Sequence, residues 1–115
     1  MSPLPLDNAD LPLFTVGQVA TMLEIQQAFL RRLDEHQVVR PSRSGGGQRR
    51  YTRNEITVVQ YVVQLVDEGM TLNAIRRVLR LEALVRALEA ERDALREALA
   101  DRDDRLAALR VRRAE

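Results

Sequence analysis

The stretch best equipped for chemistry is basic. Between residues 31 and 53 the chain carries seven arginines (31, 32, 40, 43, 49, 50 and 53) against two acids, Asp34 and Glu35, a local charge of +5. The whole chain sums to only +1, so the positive charge is concentrated rather than general. A planar guanidinium presents paired N–H donors that match phosphate oxygens. A concentrated basic segment therefore implies an anionic partner met at that segment.

Other chemistries find little support. The chain has no cysteine, which excludes disulfides, iron–sulfur clusters and thiolate metal sites. Its single histidine, His36, has no neighbouring ligands of the usual type for a metal. Asp34 and Glu35 are adjacent on an expected helix and point apart, and no nucleophile–base pair is evident. Neither an enzyme nor a bound cofactor is expected. No apolar run approaches the ~18 residues of a membrane span, and no signal-peptide pattern opens the chain. The expectation is a soluble cytoplasmic protein with no membrane partner.

The arginines need elements to aim them. Val38 to Tyr51 reads as a two-stranded β-wing. Pro41 limits the first strand, and Gly45, Gly46 and Gly47 allow a tight tip with positive φ. Arg43, Arg49 and Arg50 flank that tip, and Tyr51 follows. These four are the expected phosphate contacts of the wing.

Upstream, Phe14 to Leu23 reads as a short helix capped by Thr15, with Val16, Val19, Ala20 and Leu23 on one face. Its N-terminus offers free amides to a phosphate. A turn at Glu24, Ile25 and Gln26 leads to a second helix from Gln27 to His36. Phe29, Leu30 and Leu33 face inward there, and Gln27, Ala28, Arg31 and Arg32 face out. Two helices joined by such a turn fit a helix–turn–helix. Gln26, Gln27, Ala28 and Arg31 would then face base edges, glutamine suiting adenine and arginine suiting guanine.

Downstream, Thr52 and Glu55 have the spacing of a capping box. The helix that follows, from Ile56 to about Glu68, places Ile56, Val59, Val62 or Val63, and Val66 on a buried stripe. Gly69 ends it. Thr71 caps a fourth helix bearing Leu72, Ile75, Val78 and Leu79. From Leu72 to Val111 neither glycine nor proline interrupts the chain. Leu81, Leu88, Leu95 and Leu109 recur at sevens, with Arg102 in the remaining slot. Val85, Arg92, Leu99 and Leu106 form the interleaved set. This is an a/d heptad pattern over about four repeats, a rod of ~45 Å. Such a seam needs a partner, and a second copy of the chain is the economical one. Parallel and antiparallel pairings both offer opposite charges across the seam.

The expected organisation is mainly α: a loose N-terminal arm over residues 1–13, a winged helix–turn–helix DNA-binding domain over 14–80, and a coiled-coil dimerisation helix over 81–115. With only four aromatic residues, the core is aliphatic and modest, a size that often relies on oligomerisation.

These pieces in this order resemble the MerR family of bacterial transcription regulators. FTVGQVA, starting at Phe14, is similar to the family's opening helix, RRY at 49–51 to its wing exit, and TRNEI at 52–56 to the start of its third helix. RSGGGQRRY together with DEGMTLNAIRRVLRLE (67–82) most resembles the family's heat-shock repressors. The resemblance implies a homodimer joined through a C-terminal coiled coil. It also implies an inverted-repeat DNA operator, with DNA contacts from Arg31, Arg49, Arg50 and Tyr51. Repression without a small-molecule effector follows from the same likeness, as does control by a protein partner such as a chaperone. The chain departs from the family where glycine is common: Glu24 stands at the turn and Gln37 after the second helix. Two readings of other classes compete. One is a coiled-coil adaptor whose N-terminal domain binds protein. The other is a small recombination or packaging factor that bends DNA.

Overall fold

A computed structural model describes residues 8–43 and 45–114; the first half of the expected arm lies outside them. The elements run α1 (Val16–Leu23), α2 (Gln27–Glu35), β1 (Ser42–Arg43), β2 (Arg49–Arg50), α3 (Arg53–Asp67) and α4 (Leu72–Ala114). Two compact units divide between Leu79 and Arg80.

In the first unit, hydrophobic periodicity becomes a small core. Val19 and Ala20 come from α1, Leu30 and Leu33 from α2, Ile56, Val59, Val62 and Leu65 from α3, and Ile75 from α4. The buried row of α3 runs through Val62 and Leu65, while Val63 and Val66 only flank it. The expected stripe missed Leu65. Apolar residues occupy adjacent positions on this helix, so periodicity alone does not choose between neighbouring rows.

The helix starts are set locally. Thr15 accepts from the Gln18 amide at 3.1 Å, and Gln18 Oε1 accepts from the Thr15 amide at 2.8 Å. Thr52 and Glu55 repeat the exchange at 3.0 and 2.8 Å. Both are complete capping boxes. Thr71 caps the start of α4 by accepting from the Ala74 amide at 3.2 Å.

The ends of α1, α2 and α3 share one geometry. After α1, the Ile25 amide donates to the Ala20 carbonyl and the Glu24 amide to Thr21. After α2, Val38 donates to Leu33 and Gln37 to Asp34. After α3, Met70 donates to Leu65 and Gly69 to Val66. Each is a Schellman closure: one residue turns left-handed and an apolar residue folds back on the core. Glycine suits the left-handed position because it has no Cβ to clash. Here Gly69 takes it once, at φ 93°, but Glu24 and Gln37 take it at 55° and 57°. The two departures from the family's glycines are thus the two non-glycine residues, among those described, with positive φ.

The wing is an antiparallel ribbon with Ser42 opposite Arg50 and Arg43 opposite Arg49. Of its three glycines, Gly47 adopts positive φ, at 82°. Phe14 adds an isolated bridge to Tyr51, with bonds of 3.1 and 2.6 Å. The described part of the expected loose arm is in fact tied down. The Ala9 carbonyl accepts from the Asn54 amide at 3.1 Å, Asp10 accepts from the Asn54 side chain at 2.6 Å, and the Leu13 carbonyl accepts from Arg50 at 3.4 Å.

In the second unit, α4 runs on without a break. The residues from 80 to 114 span about 52 Å at ~1.5 Å per residue. Among the described residues no helix is long and apolar enough to cross a membrane.

Two outcomes test these assignments. Replacing Glu24 or Gln37 by glycine should each raise stability by about 0.5–1 kcal/mol. Relief of the left-handed penalty exceeds the added chain entropy of the unfolded state. Gly69→Ala should lower stability by a similar amount, and urea denaturation reads all three. Burial, with help from the Asp34 and Glu55 carboxylates, pushes the Tyr51 phenol up to about 12. The folded state therefore holds this proton after the unfolded chain releases its own near 10. The resulting stability is fully present below pH 10 and falls as pH rises toward 12. Denaturation midpoints across that window should fall less steeply in Tyr51→Phe than in the wild type.

Candidate nucleic-acid interface

Three features meet around α2: the start of α1, the outer face of α2 itself, and the wing. At the first, the Thr15 hydroxyl is committed to its own capping box. The amides of Val16 and Gly17 belong to the first turn, where a helix supplies no internal acceptor. A Cβ on Gly17 would stand in ordinary contact, 3.5 Å from Gln27 Nε2 and 4.0 Å from Thr15 Oγ1, so the start of α2 lies beside the start of α1. Thr15 and Gln27 are brought together there.

On α2, Gln27, Ala28, Arg31 and Arg32 are all exposed, as is Gln26 at the N-cap. The core-facing Leu30 and Leu33 hold the helix by its opposite side, at 1% and 0% exposure. The end of the helix is held from α4, where Arg76 donates to the His36 carbonyl at 3.3 Å.

The wing arginines divide between its faces. Successive strand residues point to opposite sides, so Arg49 and Arg50 do not act as a pair. Arg49 Nη1 donates to Asp34 Oδ2 on α2 at 2.7 Å. Arg40 Nε lies 3.7 Å from the other oxygen, Oδ1. Arg43, opposite Arg49, donates to the Gly47 carbonyl at 3.0 Å and so braces the tip. Asp34, Arg40, Pro41, Arg43 and Arg49 line a concave site of about 230 Å³. Arg50 is half-buried and turns the other way, donating to the Leu13 carbonyl and to Gln48 Oε1.

Tyr51 is placed differently from the open phosphate contact expected of it. It is 2% exposed and belongs to the core. Its backbone bridge to Phe14 explains this: pairing at that position turns the ring under the sheet. Its contribution is to anchor the end of β2.

Two residues outside the expected set are part of the cluster. Arg40 and Asp34 enter the sequence pattern through the charge of the segment alone, with no contact role assigned to either. A carboxylate within a run of arginines on an exposed helix face is a signal for an ion-pair anchor. In the second unit, Leu81, Val85, Leu88, Leu95, Leu99, Leu106 and Leu109 are between 42% and 63% exposed in the single chain. They form the uncovered seam expected from the heptads. Arg92, within the seam, pairs with its neighbour Asp93 at 3.0 Å.

Comparison with known proteins agrees with this geometry. The family described as MerR HTH family regulatory protein matches residues 14–82, more than half of the chain. The heat shock protein HspR of Streptomyces coelicolor is 34% identical over 106 residues, covering 91% of this chain and 68% of that protein. The HTH-type transcriptional regulator GlnR of Bacillus anthracis is 28% identical over 76 residues, or 66% of this chain and 59% of its own length. Two solved structures share the fold. A MerR-family transcriptional regulator from Bacillus cereus superposes with a TM-score of 0.54 at 22% identity, covering 84% of this chain and 73% of its own. HiNmlR, a MerR-family regulator lacking the sensor domain and bound to promoter DNA, gives 0.55 at 21% identity, with 88% and 87% covered. With a helix–turn–helix, an arginine-edged wing and a long C-terminal helix in that order, the chain belongs to the MerR family of transcriptional regulators, which are not enzymes.

Proposed function

We propose that this regulator acts as a homodimeric, sequence-specific repressor that binds an inverted-repeat operator in duplex DNA. The observation that carries the reading is the arrangement around α2. Its exposed row of Gln27, Ala28, Arg31 and Arg32 stands between a helix N-terminus and an arginine-edged wing. In such a layout α2 enters the major groove. Gln26, Gln27 and Arg31 meet base edges, while Arg32, Arg43, Arg49 and the α1 terminus near Thr15 hold the backbone. Tyr51 serves by fixing the wing. The promoter DNA in the HiNmlR structure is consistent with this use of the fold.

Dimerisation rests on the seam. A helix whose seven seam side chains lie uncovered in the single chain gains by burying them against a second copy. Two copies present two α2 helices, hence a two-fold related operator. Repression, rather than activation, follows the likeness to HspR, and so does a protein co-regulator such as a chaperone. An adaptor that used this surface for protein would bind DNA weakly at every salt concentration.

The test combines sedimentation with DNA binding across a salt series. The protein should sediment as a dimer, and log Kd should rise linearly with log salt. Arg43→Ala with Arg49→Ala should weaken binding to scrambled duplexes as well as to the operator. Each lost phosphate contact should flatten the salt slope by ~0.9. An unchanged slope in the double variant would remove the wing from the interface. A monomer would remove the inverted repeat.

A further inference from the structure

We propose that Asp34 is a positioning residue that locks the wing to α2 and thereby sets how selectively the protein reads DNA. The inference rests on the DNA-binding reading above and adds a residue and a role to it. Asp34 sits near the end of α2, and its two carboxylate oxygens serve different arginines. Oδ2 accepts from Arg49 on β2 at 2.7 Å, and Oδ1 faces Arg40, in the segment leading to β1, at 3.7 Å. The carboxylate is largely covered, at 21% side-chain exposure, while Arg40 and Arg49 remain 62% and 60% exposed. The ion pairs therefore leave the arginines open. Among the described residues Arg49 commits one N–H of its guanidinium, to Asp34, which leaves the rest of the fork for an outside acceptor.

Charge supports the same assignment. Arg43 and Arg49 face each other across the ribbon, a like-charge pair that repels. Arg40 adds a third cation to the same concave site. One carboxylate among three guanidiniums lowers that repulsion yet leaves the site with a net charge of about +2, still suited to phosphate. An arginine held in advance loses less freedom when it binds than one that is loose. Because the anchor lies on α2, the wing's grip on the backbone also fixes where α2 lies over the bases.

Asp34→Asn separates this role from a merely structural one. The amide keeps the size of the side chain and removes the charge. Every duplex should then attract the protein at least as strongly as before, because a negative charge has left the interface. Selective binding should fall, because the wing no longer registers α2. The measurement is the ratio of Kd for a scrambled duplex to Kd for an operator selected from a random-sequence library, in wild type, Asp34→Asn and Asp34→Glu. We expect the ratio to fall at least five-fold in Asp34→Asn, with scrambled binding unchanged or tighter and the thermal midpoint within a few degrees. Asp34→Glu should recover part of the ratio. An unchanged ratio, or a parallel loss on both duplexes, overturns the proposal while leaving DNA binding intact. A wild-type protein that shows no salt-dependent DNA binding overturns the underlying reading, and this inference with it.

Discussion

A ribbon of two two-residue strands has too few hydrogen bonds to hold its own position. Here one carboxylate ties its first strand to α3. Glu55 completes the capping box of α3 by accepting from the Thr52 amide, and the same side chain accepts from the Ser42 hydroxyl at 3.0 Å and the Ser42 amide at 3.4 Å. The start of α3 and the first strand of the wing are thus one bonded unit. Thr52 is 6% exposed, and Glu55 and Ser42 are partly covered, so the knot is partly screened from water and its charged acceptor counts for more than at an open surface. The core beneath stays aliphatic, with Tyr51 its aromatic exception. That ring gives the return strand an anchor that arginine-rich neighbours lack.

What sequence reveals here follows the range of each interaction. Caps and closures act within a few residues. Thr15, Thr52, Thr71 and Gly69 announced the helix boundaries because their chemistry is complete within one turn of chain. The heptad seam was legible for a similar reason, since a period of seven needs only the chain itself to be seen. Arg49 and Asp34 are 15 residues apart, and Arg50 and Leu13 are 37 apart. No local pattern ties such pairs together. The tethering of residues 8–13 and the burial of Tyr51 escaped for that reason. The first runs through Asn54 and Arg50, and the second accompanies Phe14 meeting Tyr51, a pairing of isolated residues with no strand-like run around it.

The left-handed closures show a different trade. Glutamate and glutamine stand where the backbone favours glycine, and the fold accommodates them because the following residue is apolar in each case. Ile25 and Val38 pack against the core, and their burial fixes the turn that the left-handed residue must make. Local preference and global packing disagree at these two positions, and packing prevails. Both lie at the ends of α2, so the helix is set within its frame by tertiary contacts rather than by the intrinsic ease of its turns.

At the wing tip, Gly45 and Gly46 have no neighbour within 4 Å of where a side chain would begin, and neither has positive φ. Among the described residues nothing demands a glycine at either position. Their bareness leaves the peptide groups of the tip unshielded, so a rounded external surface can rest directly on main chain with no side-chain cushion between.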